Sequence, residues 1–265
     1  MHPENLETKT ADVSKLGGKA RAMIDLYLAL PVGGKPQCPY FNNRRRKTKS
    51  QLRVLKGKGS PSEIAEEAEI EALHARVDIK TIATDKLKEF LIACDLGIDC
   101  SGFAYHVLNS LSQERTGKNI QSFVKSNRPG FVGTIAAKLR PAENMGVSTF
   151  ANERNSTAVN PSEAKPGDII VFIGTGKDGL YNHMVVVTGV ERADGGTRIS
   201  YAHSYAWPSD GTSGHGVREG DILVHGDDLL GGTWKEKGET GSGNYTYESA
   251  RTAKSLSLRR LRFLA

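Results

Sequence analysis

Apolar residues recur at helical spacing over residues 13–30, where Leu16, Ala20, Met23, Ile24, Tyr27, Leu28 and Leu30 form one broad stripe. The pattern predicts a helix that Pro31 and Gly33-Gly34 terminate. A second helix start lies at Ser60-Pro61-Ser62-Glu63, with a hydroxyl at the N-cap, proline at the first helical position and glutamate at the third. The acidic residues over 63–71 suit the positive end of that helix. A third helix is expected from Thr84 through Phe90, Leu91 and Ile92 to Cys94. After it, Phe103, Val107 and Leu111 fall four apart, as do Ala104 and Leu108, which is one face of a helix. Asp99 occupies the N-cap position of that helix, and Cys100 its first turn. Residues 112–160 show weak periodicity and read as an insertion with short helices, residues 132–139 among them.

The period then changes. Ile169-Ile170-Val171-Phe172-Ile173 is a β-rich run behind the turn Lys165-Pro166-Gly167-Asp168, and residues 183–190 form a second buried strand. Asp194-Gly195-Gly196 is a hairpin turn, and residues 198–203 return along the sheet. A three-residue turn pairs Ala193 with Thr197 and Val187 with His203, and sets His183 opposite Trp207. His183 and His203 then share one face, whereas a slip of one residue would split them. Residues 207–220 read as loop and residues 220–225 as a further strand. The basic tail, residues 249–263 with Arg259, Arg260 and Arg262, is expected to be helical and to pack over the N-terminal helix. Helices followed by hairpin-connected strands give an α+β class.

At 265 residues, with 38% hydrophobic and 25% charged residues, the chain suits one large globular domain or one with an appendage. No apolar run has the length of a bilayer span, and residues 1–10 lack the apolar core of a secretory signal. A cytoplasmic location is expected of the chain as written, and a secreted or cell-wall-associated one if a leader has been removed. Three cysteines, Cys38, Cys94 and Cys100, make no disulfide framework. Without a CxxC or HxxxH pair no metal is expected, and nothing calls for a cofactor. The net charge of +6 is uneven: residues 1–60 carry 13 Lys+Arg against 4 Asp+Glu, the remainder 23 against 26. Arg44, Arg45, Arg46 and Lys47, beside Tyr40 and Phe41, are a candidate contact for an anionic polymer.

Cys100 is the chemical centre of this reading. In the first turn of a helix, unpaired N–H groups and the helix dipole stabilise a thiolate and lower the thiol pKa. The same N–H groups suit the oxyanion of a tetrahedral intermediate. A nucleophile needs a base, and the hairpin offers His183 with His203.

Together these segments resemble the NlpC/P60 family of papain-like cysteine peptidases. The matching pieces are Asp99-Cys100-Ser101-Gly102-Phe103, Pro166-Gly167-Asp168-Ile169, His183 heading a strand, and Tyr201-Ala202-His203-Ser204. The resemblance covers residues 95–207. It implies an α+β fold with a papain-like NlpC/P60 core, its nucleophile helix packed on an antiparallel sheet, plus an N-terminal helical extension. It further implies Cys100 as nucleophile, His183 as base and His203 as the third polar residue. Asp99 and Ser101 would shape the helix start and a substrate subsite, with Trp207 also binding substrate. The organisation expected is a basic extension over 1–80, a catalytic domain over 81–248 with the 112–160 insertion, and a basic helix or tail over 249–265. The expected activity is cleavage of an amide bond through a thioacyl-enzyme, in peptidoglycan stem peptides or similar short peptides. Family members that cleave cell-wall peptides usually carry a Tyr/Trp/Gly-rich segment before the cysteine, where this chain has the helical residues 87–98. The alternative is a binding module on a peptidase scaffold, engaging an anionic polymer through the basic segment.

Overall fold

A computed structural model describes residues 12–41, 52–127, 139–193, 195–211 and 213–265. The fold is α+β, and among the described residues the strands join one antiparallel sheet. The strands are β1 (Asp12–Lys15), β2 (Ser156–Ala158), β3 (Ile169–Thr175), β4 (Tyr181–Ala193), β5 (Gly196–Tyr205), β6 (Gly216–Val224), β7 (Thr233–Glu236), β8 (Glu239–Thr240) and β9 (Ser255–Leu261). They run in the order β2-β9-β3-β4-β5-β6-β7-β8. The long β4 shares one edge between two partners, β3 beside its first half and β1 beside Gly189 to Arg192.

Four longer helices lie between β1 and β2: α1 (Gly18–Leu28), α2 (Pro61–Ala75), α3 (Thr84–Ala93) and α4 (Cys100–Thr116). A fifth, α5 (Tyr245–Arg251), lies near the end of the chain. Strand side chains alternate between faces, so the sheet buries two apolar layers. Val171, Met184, Val186 and Ala202 join α1 and α4 in one cluster, whereas Phe172, Val185, Tyr201 and Trp234 join α5 in the other. Core residues on both sides of residue 80, such as Ile24, Ile64, Leu87 and Phe103, belong to the first cluster.

The expected capping box at Ser60 is present: its hydroxyl accepts from the Glu63 N–H while the Glu63 carboxylate accepts from the Ser60 N–H at 2.8 Å. Three expectations are corrected. The helix expected from residue 13 begins only at Gly18, and residues 12–15 form β1. Gly18 has φ +56°, and a Cβ there would lie 2.3 Å from the Glu114 carboxylate, so the chain turns tightly between strand and helix. The tail expected to be helical holds the strand β9, between β2 and β3. Its Ser255-Leu256-Ser257-Leu258 alternation has period 2, and its arginines act as pins: Arg260 grips Asp168 with two hydrogen bonds of 2.9 and 2.8 Å.

The third correction concerns register. The turn pairs Ala193 with Gly196 and Arg192 with Thr197, one residue away from the expected pairing. By itself that slip sends His183 and His203 to opposite faces. A bulge at Thr188 shifts the ladder once more, so that Val187 pairs with Tyr201 and Val186 with Ala202. Two single shifts restore the parity.

The basic segment Arg44, Arg45, Arg46 and Lys47 lies outside the described residues, as does nearly all of the helix expected over 132–139. Among the described residues no helix is long and apolar enough to cross a membrane.

Candidate active site

Asp99 caps α4 as its sequence position indicates, accepting from the Gly102 N–H at 2.6 Å. Its Oδ1 also receives the ammonium of Lys58 at 2.8 Å, and that ammonium donates to Ser101 Oγ at 2.6 Å. Lys58 is buried and gave no signal in the sequence beyond its place between Gly57 and Gly59. Asp99 and Ser101 are thus tied into a charged cluster behind the helix start, and with Cys100 they line a cavity of about 340 Å³.

Cys100 is 8% exposed. Burial pushes its thiol up to about 12, and Asp99 adds to the push; Lys58 and the N–H groups of Met184 and Ser101 draw it back. The lowered pKa expected at a helix start is overturned, because desolvation outweighs the helix end. Cys100 is therefore a neutral thiol at ordinary pH.

The two histidines project from the sheet face that carries Phe172 and Val185, while α4 packs on the other face with Met184. Pairing of β4 with β5 stops at Val186 and Ala202, although both strands continue. In the gap that follows, the Met184 N–H interacts with the Cys100 sulfur, and Ser204 Oγ donates to the Ile98 carbonyl at 2.8 Å. Cys100 thus reaches the sheet beside the residue that follows His183. Tyr205 bridges the two: its ring stacks on His183 with centroids 4.0 Å apart, and it lies within electrostatic range of Cys100.

His183 Nε2 and His203 Nδ1 are 2.7 Å apart. On its other side, His203 Nε2 lies 3.1 Å from Glu236 Oε2, which also accepts from the Tyr201 hydroxyl at 2.8 Å. Arg218 Nη1 stands 3.6 Å from the second oxygen of Glu236, and Arg218 Nη2 holds Asp210 at 2.6 Å. Burial acts most strongly on Glu236 and pushes its carboxyl up, but hydrogen bonds from His203 and Tyr201 and the charge of Arg218 together hold it below the ordinary glutamate value. Burial, reinforced by the Arg218 charge, holds His183 well below the ordinary imidazole value, so its ring is neutral.

The structure therefore joins His183 to His203, and Asp99 to Ser101. Among the described residues no hydrogen bond joins Cys100 to an imidazole, and His183 Nδ1 has no hydrogen-bond partner. Trp207 is 1% exposed and donates its indole N–H to Thr246 at 3.1 Å, with Arg218 over its ring. It forms the wall of a cleft of about 610 Å³ that also reaches His183, Tyr181 and Tyr245. This cleft and the Cys100 cavity meet along Tyr40, Tyr181 and Asn182. Glu236 and Arg218 were missed in the sequence. Alternation in Thr233-Trp234-Lys235-Glu236 marks Glu236 as inward-facing, but such a short strand is a weak signal.

No group of His, Cys, Asp and Glu side chains among the described residues is placed to hold a metal ion. In comparisons with known proteins, no family model, curated protein or solved structure matches the chain.

Proposed function

We propose that this protein is a cysteine hydrolase with a papain-like core of the NlpC/P60 kind, cleaving an amide bond in peptidoglycan stem peptides or similar short peptides. The observation that carries the reading is the buried pair His183–His203, which occupies Nε2 of His183 and leaves its Nδ1 without a hydrogen-bond partner, one residue from the Met184 N–H that meets the Cys100 sulfur. A neutral imidazole with one nitrogen anchored and the other bare is suited to take a proton from a neutral thiol.

The substrate carbonyl would enter through the cleft shared by the two cavities. Cys100 Sγ attacks it as the thiol proton passes to His183 Nδ1. Backbone N–H groups at the start of α4 face the oxyanion, Gly102 excepted because it is bound to Asp99. Collapse of the tetrahedral intermediate breaks the C–N bond, and the amine leaves with the proton from His183. Water, giving a proton to His183, then splits the thioester and returns a carboxylic acid and the free thiol. Since thiol and imidazole both start neutral, proton transfer accompanies attack.

The test is release of amino groups from stem peptides of purified peptidoglycan, by the full chain and by Cys100→Ala. Loss of turnover with an unchanged circular dichroism spectrum supports the reading. Equal turnover by the variant overturns it.

A further inference from the structure

Beyond His183 and His203 lies a third buried polar group in series with the two imidazoles. Glu236 sits at the end of β7, 1% exposed, and its Oε2 faces His203 Nε2 at 3.1 Å. We infer that Glu236 is a positioning residue that fixes the proton on each of the two histidines, leaving Nδ1 of His183 bare to act as the base; the inference rests on the proposed hydrolase reading for its purpose, not for its geometry.

The argument is one of donors and acceptors. An ionised carboxylate only accepts, so His203 Nε2 must carry a hydrogen. The positive charge that balances Glu236 is at hand in Arg218, 3.6 Å from its other oxygen, so His203 can remain neutral. A neutral His203 protonated on Nε2 has a lone pair on Nδ1, and at 2.7 Å from His183 Nε2 that lone pair must receive a hydrogen. His183 is then protonated on Nε2 and bare on Nδ1. Reverse the polarity, with a donor in place of Glu236, and every proton moves over: His183 becomes protonated on Nδ1, and that nitrogen is lost as a base.

The charged and titratable groups around this chain come from several elements. Tyr201 and His203 face Glu236 from β5, and Arg218 faces it from β6. Arg218 is itself held by Asp210, to which Lys237 is also bound. Asp99 and Lys58 face Cys100 from the far side. Of these, Glu236 is the group that touches the outer nitrogen of His203.

The experiment has two arms. The first is long-range ¹H–¹⁵N correlation of the ¹⁵N-histidine-labelled full chain at neutral pH, the two signals being assigned by single His183 and His203 variants. Neutral rings protonated on Nε2 in both residues are expected; an Nδ1-protonated His183 or His203 overturns the inference. This arm uses the unaltered protein, so it decides even if a Glu236 variant fails to fold.

The second arm compares Glu236→Gln and Glu236→Asp with the parent in the rate of Cys100 alkylation by iodoacetamide at pH 8, with Cys94 as the internal reference. Glutamine fills the same space but removes the charge and allows either polarity. It should slow Cys100 by about tenfold, the effect of about one pKa unit on the base, and leave Cys94 unchanged. Aspartate keeps the charge and should recover most of the rate. An unchanged Cys100 rate in Glu236→Gln overturns the inference. If instead Cys100 proves not to be a nucleophile, the histidine protonation pattern still stands or falls alone, so the two failures are separable.

Discussion

His183 and His203 meet at 2.7 Å because two departures from the simple hairpin cancel. The turn after Ala193 shortens the expected loop by one residue, and the bulge at Thr188 moves the strand by one more. Either change alone would place the imidazoles on opposite faces of the sheet. A bulge can re-aim a side chain beside a cleft, and here it brings the two imidazoles together.

Breaking the cluster behind α4 should cost stability more than it costs secondary structure. Asp99→Ala removes both the cap of Gly102 and the counter-charge of Lys58, and leaves a buried ammonium with no anion. Urea denaturation should show a loss of about 3–5 kcal/mol. The paired change Lys58→Met with Asp99→Asn should recover a large part of it, since the uncompensated charge is gone while the asparagine oxygen still caps Gly102. A double variant no more stable than Asp99→Ala would show that charge compensation is not what Asp99 supplies.

The pH dependence of Cys100 follows from the direction of its shift. Its thiol is pushed up to about 12, so at any pH from 6 to 9 only a small fraction is thiolate, and that fraction rises as pH rises. Alkylation of Cys100, followed by mass spectrometry over that range, should accelerate with pH throughout and show no plateau near neutrality. A plateau beginning at pH 6 would mean a standing thiolate, contrary to the environment described.

The C-terminal residues should be indispensable to the fold. A chain ending at Thr252 loses β9, which pairs with β2 on one edge and β3 on the other, together with the buried Leu258 and Leu261. The exposed edge of β3 and two opened apolar layers should leave that chain insoluble or unfolded by circular dichroism. A soluble, cooperatively melting truncation would contradict the inner placement of β9 between β2 and β3.

What the sequence made legible was local. Ser60 with Glu63, and Asp99 before Cys100, announced two helix starts because capping depends on neighbours in the chain. The runs at 169–173 and 183–190 announced strands because both of their faces are buried, and 198–203 because it returns from a hairpin turn with its apolar residues alternating. What escaped depends on distant partners. Arg259 and Arg260 read as part of a basic helical tail, yet they lie on a strand and are bound to Ser156, Glu153 and Asp168, roughly a hundred residues away. Lys58 and Glu236 behave in the same way: each is an unremarkable charged residue in its own segment and becomes part of the site only when β7 and the α4 start are folded around it. The thiol shows how magnitude decides. A helix N-terminus and a lysine both favour the thiolate, and the structure supplies both, but removal of water outweighs them.

The most direct test of the central claim is acid-quench intact-mass spectrometry of the full chain mixed with peptidoglycan stem peptides, in the first turnovers. The account predicts a transient added mass equal to the acyl half of the cleaved peptide, mapped to Cys100 and labile to hydroxylamine, and absent in Cys100→Ala. Peptide cleavage that proceeds with no such adduct, and at the same rate in Cys100→Ala, would contradict it.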